Sequence, residues 1–240
     1  MALGPISPRE SSHQACEHAL RRAVIDGSLG PGQRLPAERA LAATLGVSRL
    51  TLRAALAALT ARGLLAVKHG SGYIVQDFTQ RGGADLLPDL PCESASVARE
   101  LLRVRRHLAH AILERLVEHP PGGLALRGYT RAVDNLEALV TQARPVAEIA
   151  AGDLEVIRSL VAGTASAVLA LCLNPVVNVI ASSAGLRDAL YGEPRTNVAG
   201  WRALGEWLKK PRREALRALL DLLEAHDRES LKRLQKRRSR

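Results

Sequence analysis

The sequence predicts a mainly α protein, with an N-terminal winged helix-turn-helix carrying a small β-wing, followed by an all-α helical bundle. Three observations carry this expectation. Aromatics are scarce, with one Phe, three Tyr and two Trp in 240 residues dominated by Ala and Leu, which favours helices over a large sheet. Two short helical stretches near the N-terminus meet at a tight glycine-containing turn. Nothing after residue 80 reads as alternating strands. With 47% hydrophobic residues the chain can bury a sizeable core, which excludes disorder as its main state. Cys16, Cys92 and Cys172 are widely spaced and form no CxxC pair, so neither a disulfide framework nor a zinc site is expected.

The elements follow in order. From Ser11 to Gly27, Ala15, Ala19, Leu20, Ala23 and Val24 recur at helical spacing, and Gly27 with Gly30-Pro31-Gly32 stops the helix. A second, short helix opens at Leu35-Pro36-Ala37-Glu38-Arg39 and closes at Gly46, a residue suited to the left-handed position that ends helices. Only Val47 separates it from Ser48, whose hydroxyl can cap a third helix bearing Leu52, Ala55, Leu56 and Leu59 on one face. Residues 64–68 and 73–76 are short strands, and His69-Gly70-Ser71-Gly72 supplies the glycines a hairpin tip needs. Seven helices are expected beyond, over 95–118, 124–143, 145–162, 164–172, 175–191, 197–208 and 211–235. Residues 159–186 carry no charge, long enough for a span of roughly 20 residues. Asn174-Pro175 and several small polar residues instead point to two consecutive buried helices, broken near Asn174, and no membrane segment is expected. The start, MALGPISPRE, lacks the basic region and apolar run of a secretory signal. The expected organisation is a winged helix-turn-helix domain over 1–77, a linker over 78–94, the helical domain over 95–235 and a basic tail over 236–240.

The charge is polarised along the chain. Of a formal net +10, residues 1–78 contribute +4, residues 79–227 are neutral, and residues 228–240 carry seven basic groups and one acidic group. A neutral body with basic ends points to an anionic partner for the ends, nucleic acid being the usual one, while the tail alone reads equally as a solubilising segment. On the third helix Arg49 and Arg53 lie four residues apart and emerge on one face, away from the leucines. Taken alone they would be ordinary solvated charges. On the second helix of a helix-turn-helix their planar forks suit the paired acceptors of a guanine edge, with Ser48 and Thr51 as phosphate donors.

LPAERALAATLGVSRLTLRAALAALTARGLLAVKHGSGYIV, residues 35–75, closely resembles the winged-helix domain of the GntR family of bacterial transcription regulators, and the likeness covers residues 13–77. The resemblance implies DNA contacts at Arg39, Arg49, Arg53, His69 and Gly70, with Ser48 and Thr51 against phosphate. Leu50 departs from the pattern, standing where many members have a small polar residue, which implies the loss of a base or phosphate contact there.

The helical half is similar to the effector domains of the FadR subfamily. Its metal-binding branch has an Asp-x-x-x-His pattern on a central helix. Here the stretch from Asp153 places Ile157 at the histidine position, and no imidazole lies between His119 and His226, so no metal site or other cofactor is expected. Residues 77–90, 100–120 and 153–163, and more weakly 226–235, resemble the branch that responds to long-chain fatty acyl-CoA. That resemblance implies ligand contacts at Arg105, Ile157, Arg158, His226 and Ser230. Asp227 and Leu234 replace a glycine and a tryptophan of that branch, and an acidic Asp227 beside a CoA phosphate is unfavourable. Arg105 has two readings, as the partner of an acidic head group or as a member of an internal salt bridge.

Together these readings imply a homodimeric, cytoplasmic, nucleoid-associated repressor on a palindromic DNA operator, controlled by a small-molecule effector, most directly a long-chain acyl-CoA. A different organic acid, no ligand at all, or non-specific nucleic-acid binding are the alternatives. An enzyme is not expected, because Asp153 and Glu155 lie on different helix faces and no Gly-x-Ser-x-Gly, phosphate loop or Cys/His arrangement occurs.

Overall fold

The structure, a computed structural model, describes residues 12–238 other than 69, 71 and 93. The chain divides into two compact units, one ending at Leu90 and the other beginning at Pro91.

In the first unit, α1 (Ser12–Ile25), α2 (Glu38–Leu45) and α3 (Arg49–Ala61) form where the apolar spacing expects them. Gly46 is left-handed, with φ 68°, and its N–H reaches the carbonyls of Ala42 and Ala43. The Ser48 hydroxyl accepts from the Thr51 N–H at 3.1 Å, a cap of about 1 kcal/mol that starts α3 two residues after the glycine. Strands β1 (Leu65–Lys68) and β2 (Gly72–Val75) pair antiparallel, Leu65 opposite Val75 and Lys68 opposite Gly72. Arg34 adds a bridge to Ile74.

Leu20 and Val24 of α1, Leu41 and Leu45 of α2, Leu52, Leu56 and Leu59 of α3, and Leu64, Leu65 and Val75 of the wing share one core. Gly63 links helix to wing at φ +73°, where a Cβ would lie 2.5 Å from the Arg81 carbonyl oxygen, so both conformation and space require glycine. The stretch after residue 77, expected as a linker, begins with α4 (Phe78–Arg81) and a 3-10 turn (Ala84–Asp89). Leu86 is buried in the winged-helix core. Arg62 pairs with Glu17 and Asp85, and Arg21 Nε lies 2.8 Å from Asp89. Apolar side chains at 78 and 86 with charges matched to α1 and α3 thus fasten this stretch to the first unit.

The second unit is helical among the described residues: α5 (Ala95–Glu118), α6 (Gly123–Thr141), α7 (Val146–Ala162), α8 (Ala167–Ser182), α9 (Ala184–Leu190), α10 (Pro194–Leu208) and α11 (Leu216–Arg238). Helix α5 packs on α8 and α11, α6 on α7 and α10, α7 on α8, and α9 on α11. The winged helix-turn-helix followed by an all-α unit is as the sequence predicts.

The expected boundaries differ most around α8. The break expected at Asn174-Pro175 is absent, and α8 runs through Pro175 to Ser182, turning into α9 only at Ser183. The proline removes one backbone hydrogen bond, but Leu173, Val176, Val177, Val179 and Ile180 are all buried, and their packing outweighs a cost of about 3 kcal/mol. Helices α8 and α9 are bent by 94°, and no single helix among the described residues is long and apolar enough to cross a membrane.

Candidate functional site

The first unit presents its cations around the start of α3. Arg39, in the first turn of α2, and Arg49, at the start of α3, are exposed. Arg53 is 68% exposed, its Nε 3.9 Å from Glu38, a separation at which a solvent-facing pair contributes little and leaves the guanidinium available. The Ser48 and Thr51 hydroxyls are 2.8 Å apart and hydrogen-bonded to one another at the cap. Gly70 is exposed at the wing tip with φ 71°. His69 lies outside the described residues. Arg34 and Lys68 are also exposed on the segments that build the wing. The sequence reading did not single them out, because the loop before α2 joins the hairpin through long-range backbone contacts, Gly32 N–H to the Val75 carbonyl, Val75 N–H to the Gln33 carbonyl, Leu35 N–H to the Tyr73 carbonyl and the Arg34–Ile74 bridge. The helix N-terminus, with its free N–H groups, and this set of cations favour an anion such as a DNA phosphate.

The second unit contains a polar knot inside an otherwise apolar bundle. Asp227 on α11 is 1% exposed and takes charge-assisted hydrogen bonds from Arg105 Nη2 and, at 2.7 Å, from Arg106 Nη1, both on α5. One turn further along α11, Ser230 is fully buried and donates to the His226 carbonyl at 2.9 Å. Arg233 donates to the Ala189 carbonyl at 2.9 Å and lies 3.2 Å from Glu193. On α7, Asp153 is 4% exposed and accepts from the Tyr191 hydroxyl at 2.8 Å and from Trp201 Nε1 at 2.5 Å. Burial pushes the Asp153 carboxyl above its ordinary range, opposed by these two donors and by the charge of Arg105.

Of the residues implied as ligand contacts, Arg105, His226 and Ser230 are brought together around Asp227. Ile157 is half-buried one turn beyond Asp153 on α7. Arg158 is not part of this group: it is exposed and bonded to Glu155 at 2.5 Å. Arg105 is engaged in the internal pair, although its Nε is buried without an acceptor. Nearby, Leu116, Leu126, Tyr129, Leu160 and Leu208 line an apolar cavity of about 10 Å³, the room of one water molecule. Among the described residues no three His, Cys, Asp or Glu side chains converge as a metal site. His107 and His110 are exposed, His110 being 3.6 Å from Glu114. The sequence reading missed Arg106, Tyr191 and Trp201, whose partners lie 121, 38 and 48 residues away, beyond any local pattern.

His226 gives a testable pH dependence. Burial, and then the neighbouring Arg105 charge, lower its pKa from 6.5, so the folded unit keeps the imidazole neutral where the unfolded chain protonates it. The unfolded state therefore binds more protons below that value, and stability falls as pH drops from about 6.5 to the lowered folded pKa. Trp201 and Trp207 both lie on α10, so tryptophan fluorescence follows this unit alone. Urea midpoints taken between about pH 5 and 7 should slope in the wild type and flatten in His226→Gln; an equal slope in both would show that His226 titrates as it does in water.

Residues 13–75 match the model of the gntR family of bacterial regulatory proteins. The chain carries a GntR-family helix-turn-helix domain. Over 150 residues it is 36% identical to the HTH-type transcriptional regulator Mce2R of Mycobacterium tuberculosis, covering 61% of this chain and 60% of that protein. Over 166 residues it is 28% identical to a fatty acid metabolism regulator protein of Pectobacterium carotovorum, covering 66% and 64%. The chain thus spans about 60% of the length of the curated relatives it matches. The structure of Lar, which controls the expression of the Listeria monocytogenes agr system and mediates virulence, has the same fold, with a TM-score of 0.62 at 15% identity over 96% of this chain and 99% of that one. The GntR family and these named relatives are regulators, not enzymes.

Proposed function

We propose that the chain is a sequence-specific transcription regulator, acting in the cytoplasm on the nucleoid as a homodimer that represses from a palindromic operator. The observation that carries this reading is the exposed set Arg39, Arg49 and Arg53 around the capped start of α3, inside a GntR-family domain. A two-fold protein presents two such helices and two wings, and so requires matching half-sites. In this reading Ser48 and Thr51 bind phosphate, and His69 and Gly70 carry the wing into the minor groove. The helical unit senses an apolar acid, with long-chain fatty acyl-CoA as the effector; the relative named as a fatty acid metabolism regulator supports that choice. Arg105, Ile157, Arg158, His226 and Ser230 are the proposed contacts. An acidic head group must compete with Asp227 for Arg105, which favours as a second reading a smaller, more strongly acidic effector. Either ligand would act by preferring the state whose DNA heads are misplaced, a coupling of about 1–3 kcal/mol.

Mobility shifts on DNA selected by the protein from a random pool test the reading. Arg49→Ala is expected to reduce preference for the selected duplex over random DNA about tenfold, because a bidentate guanine contact is lost while phosphate contacts remain. Added long-chain acyl-CoA should release the wild-type complex. An unchanged preference in the Arg49→Ala/Arg53→Ala pair would remove the basis for sequence reading by α3, and indifference to acyl-CoA would exclude that effector.

A further inference from the structure

The outermost side chain of α3 is not an arginine. At 3.6 residues per turn, Leu52, Ala55, Leu56 and Leu59 centre on one side of the helix, and Leu50 falls roughly opposite, with Arg53, Ala54 and Ala57 beside it. Leu50 is 80% exposed, the most exposed large apolar side chain among the described residues, and it sits in the first turn between Arg49 and Thr51. Ala54 and Ala57 are exposed on the same side and too short to hold the helix away from a surface. A leucine there contributes nothing to the core.

We propose that Leu50 is a specificity-determining residue that reads the C5-methyl group of a thymine in the major groove. This rests on the regulator reading above, in which α3 enters that groove. Thymine's C5-methyl is the one methyl group on the major-groove edges; cytosine has only a C5–H at that place, and guanine and adenine present polar N7, O6 or N6 atoms. An exposed leucine flanked by Arg53 and Arg49 is therefore matched to a thymine next to the bases that the guanidiniums take. The alanines let the helix seat deeply enough for van der Waals contact, and a polar base at that position would meet an apolar side chain that cannot hydrogen-bond it. Where the family resemblance implies a lost polar contact at position 50, the geometry supplies an apolar one.

The test uses the full chain and duplexes selected from a random pool. Each thymine of the enriched half-site is replaced in turn by uracil, which keeps the pairing edge and loses only the methyl. One position per half-site should then bind wild-type protein about fourfold more weakly, the effect of withdrawing one methyl-sized group from contact. At that position Leu50→Ala should bind thymine and uracil alike while still preferring the selected duplex to random DNA through Arg49 and Arg53, and Leu50→Met should retain the thymine preference. A half-site with no uracil-sensitive thymine, or the same uracil penalty in Leu50→Ala as in wild type, overturns the assignment while leaving the regulator reading intact. A pool that enriches no sequence overturns the regulator reading itself, and the role of Leu50 falls with it.

Discussion

Asp227→Ala is expected to destabilise the helical unit by about 3–5 kcal/mol, because removing one member of a buried ion cluster leaves its partners charged and desolvated. Asp227 is 1% exposed, and the side chains of Arg105 and Arg106 are only 14% and 24% exposed, so water cannot take over the lost carboxylate. The two guanidiniums converge on separate oxygens of the same group, which makes the three residues one unit rather than two additive pairs. Arg106→Met, which leaves Arg105 on the carboxylate, should accordingly cost less than half as much. Replacing all three with Met, Met and Leu should recover most of the loss, since a well-packed apolar cluster of similar volume substitutes for a buried ionic one. Urea unfolding followed by tryptophan fluorescence measures each variant. A loss within about 1 kcal/mol for Asp227→Ala, the range of solvent-exposed pairs, would mean that the cluster is hydrated in solution.

The winged helix was legible in the sequence because its determinants are local. Gly46 fixes the turn, Ser48 caps the next helix two residues later, and the leucines of α3 repeat at a spacing that only a helix puts on one face. The same reading placed Arg49 and Arg53 outward, but without coordinates it did not recognise that Leu50 stands most nearly opposite the core. The helical unit was legible in number and type of element, less so in its boundaries. At Pro175 the backbone rule for a residue pair lost to five buried side chains on α8, an outcome that depends on what α5, α7 and α9 present to them. The attachment of residues 78–90 to the first unit rests on Leu86, and on Asp85 and Asp89 meeting arginines of α1 and the end of α3, all long-range matches. The Asp227 and Asp153 clusters were the least legible, since one carboxylate among the several charged residues of α11 or α7 carries no mark of its distant partners.

Asp153 provides the second large effect. Asp153→Ala removes the acceptor of the Tyr191 hydroxyl and of Trp201 Nε1 and leaves a small void among α7, α9 and α10, so a loss of about 3 kcal/mol is expected from two unsatisfied buried donors. Asp153→Asn keeps one acceptor oxygen but turns an amide N–H₂ toward a donor, and should fall between wild type and Asp153→Ala. The two variants also separate packing from charge. Burial raises the folded carboxyl above its ordinary 3.8, so over the window from that value up to the raised one the folded state binds more protons than the unfolded chain, and stability falls as pH rises. The Asp153 contribution slopes in the opposite sense to that of His226, and between the two titrations both costs apply, so that as far as these two groups set it the helical unit is least stable in that interval. In Asp153→Asn the acid-side slope should vanish while the His226 slope remains, as followed by urea midpoints across the acid range. If the acid-side slope persists unchanged in Asp153→Asn, the carboxyl ionises alike in the folded and unfolded states, and its two donors, with Arg105 nearby, offset burial.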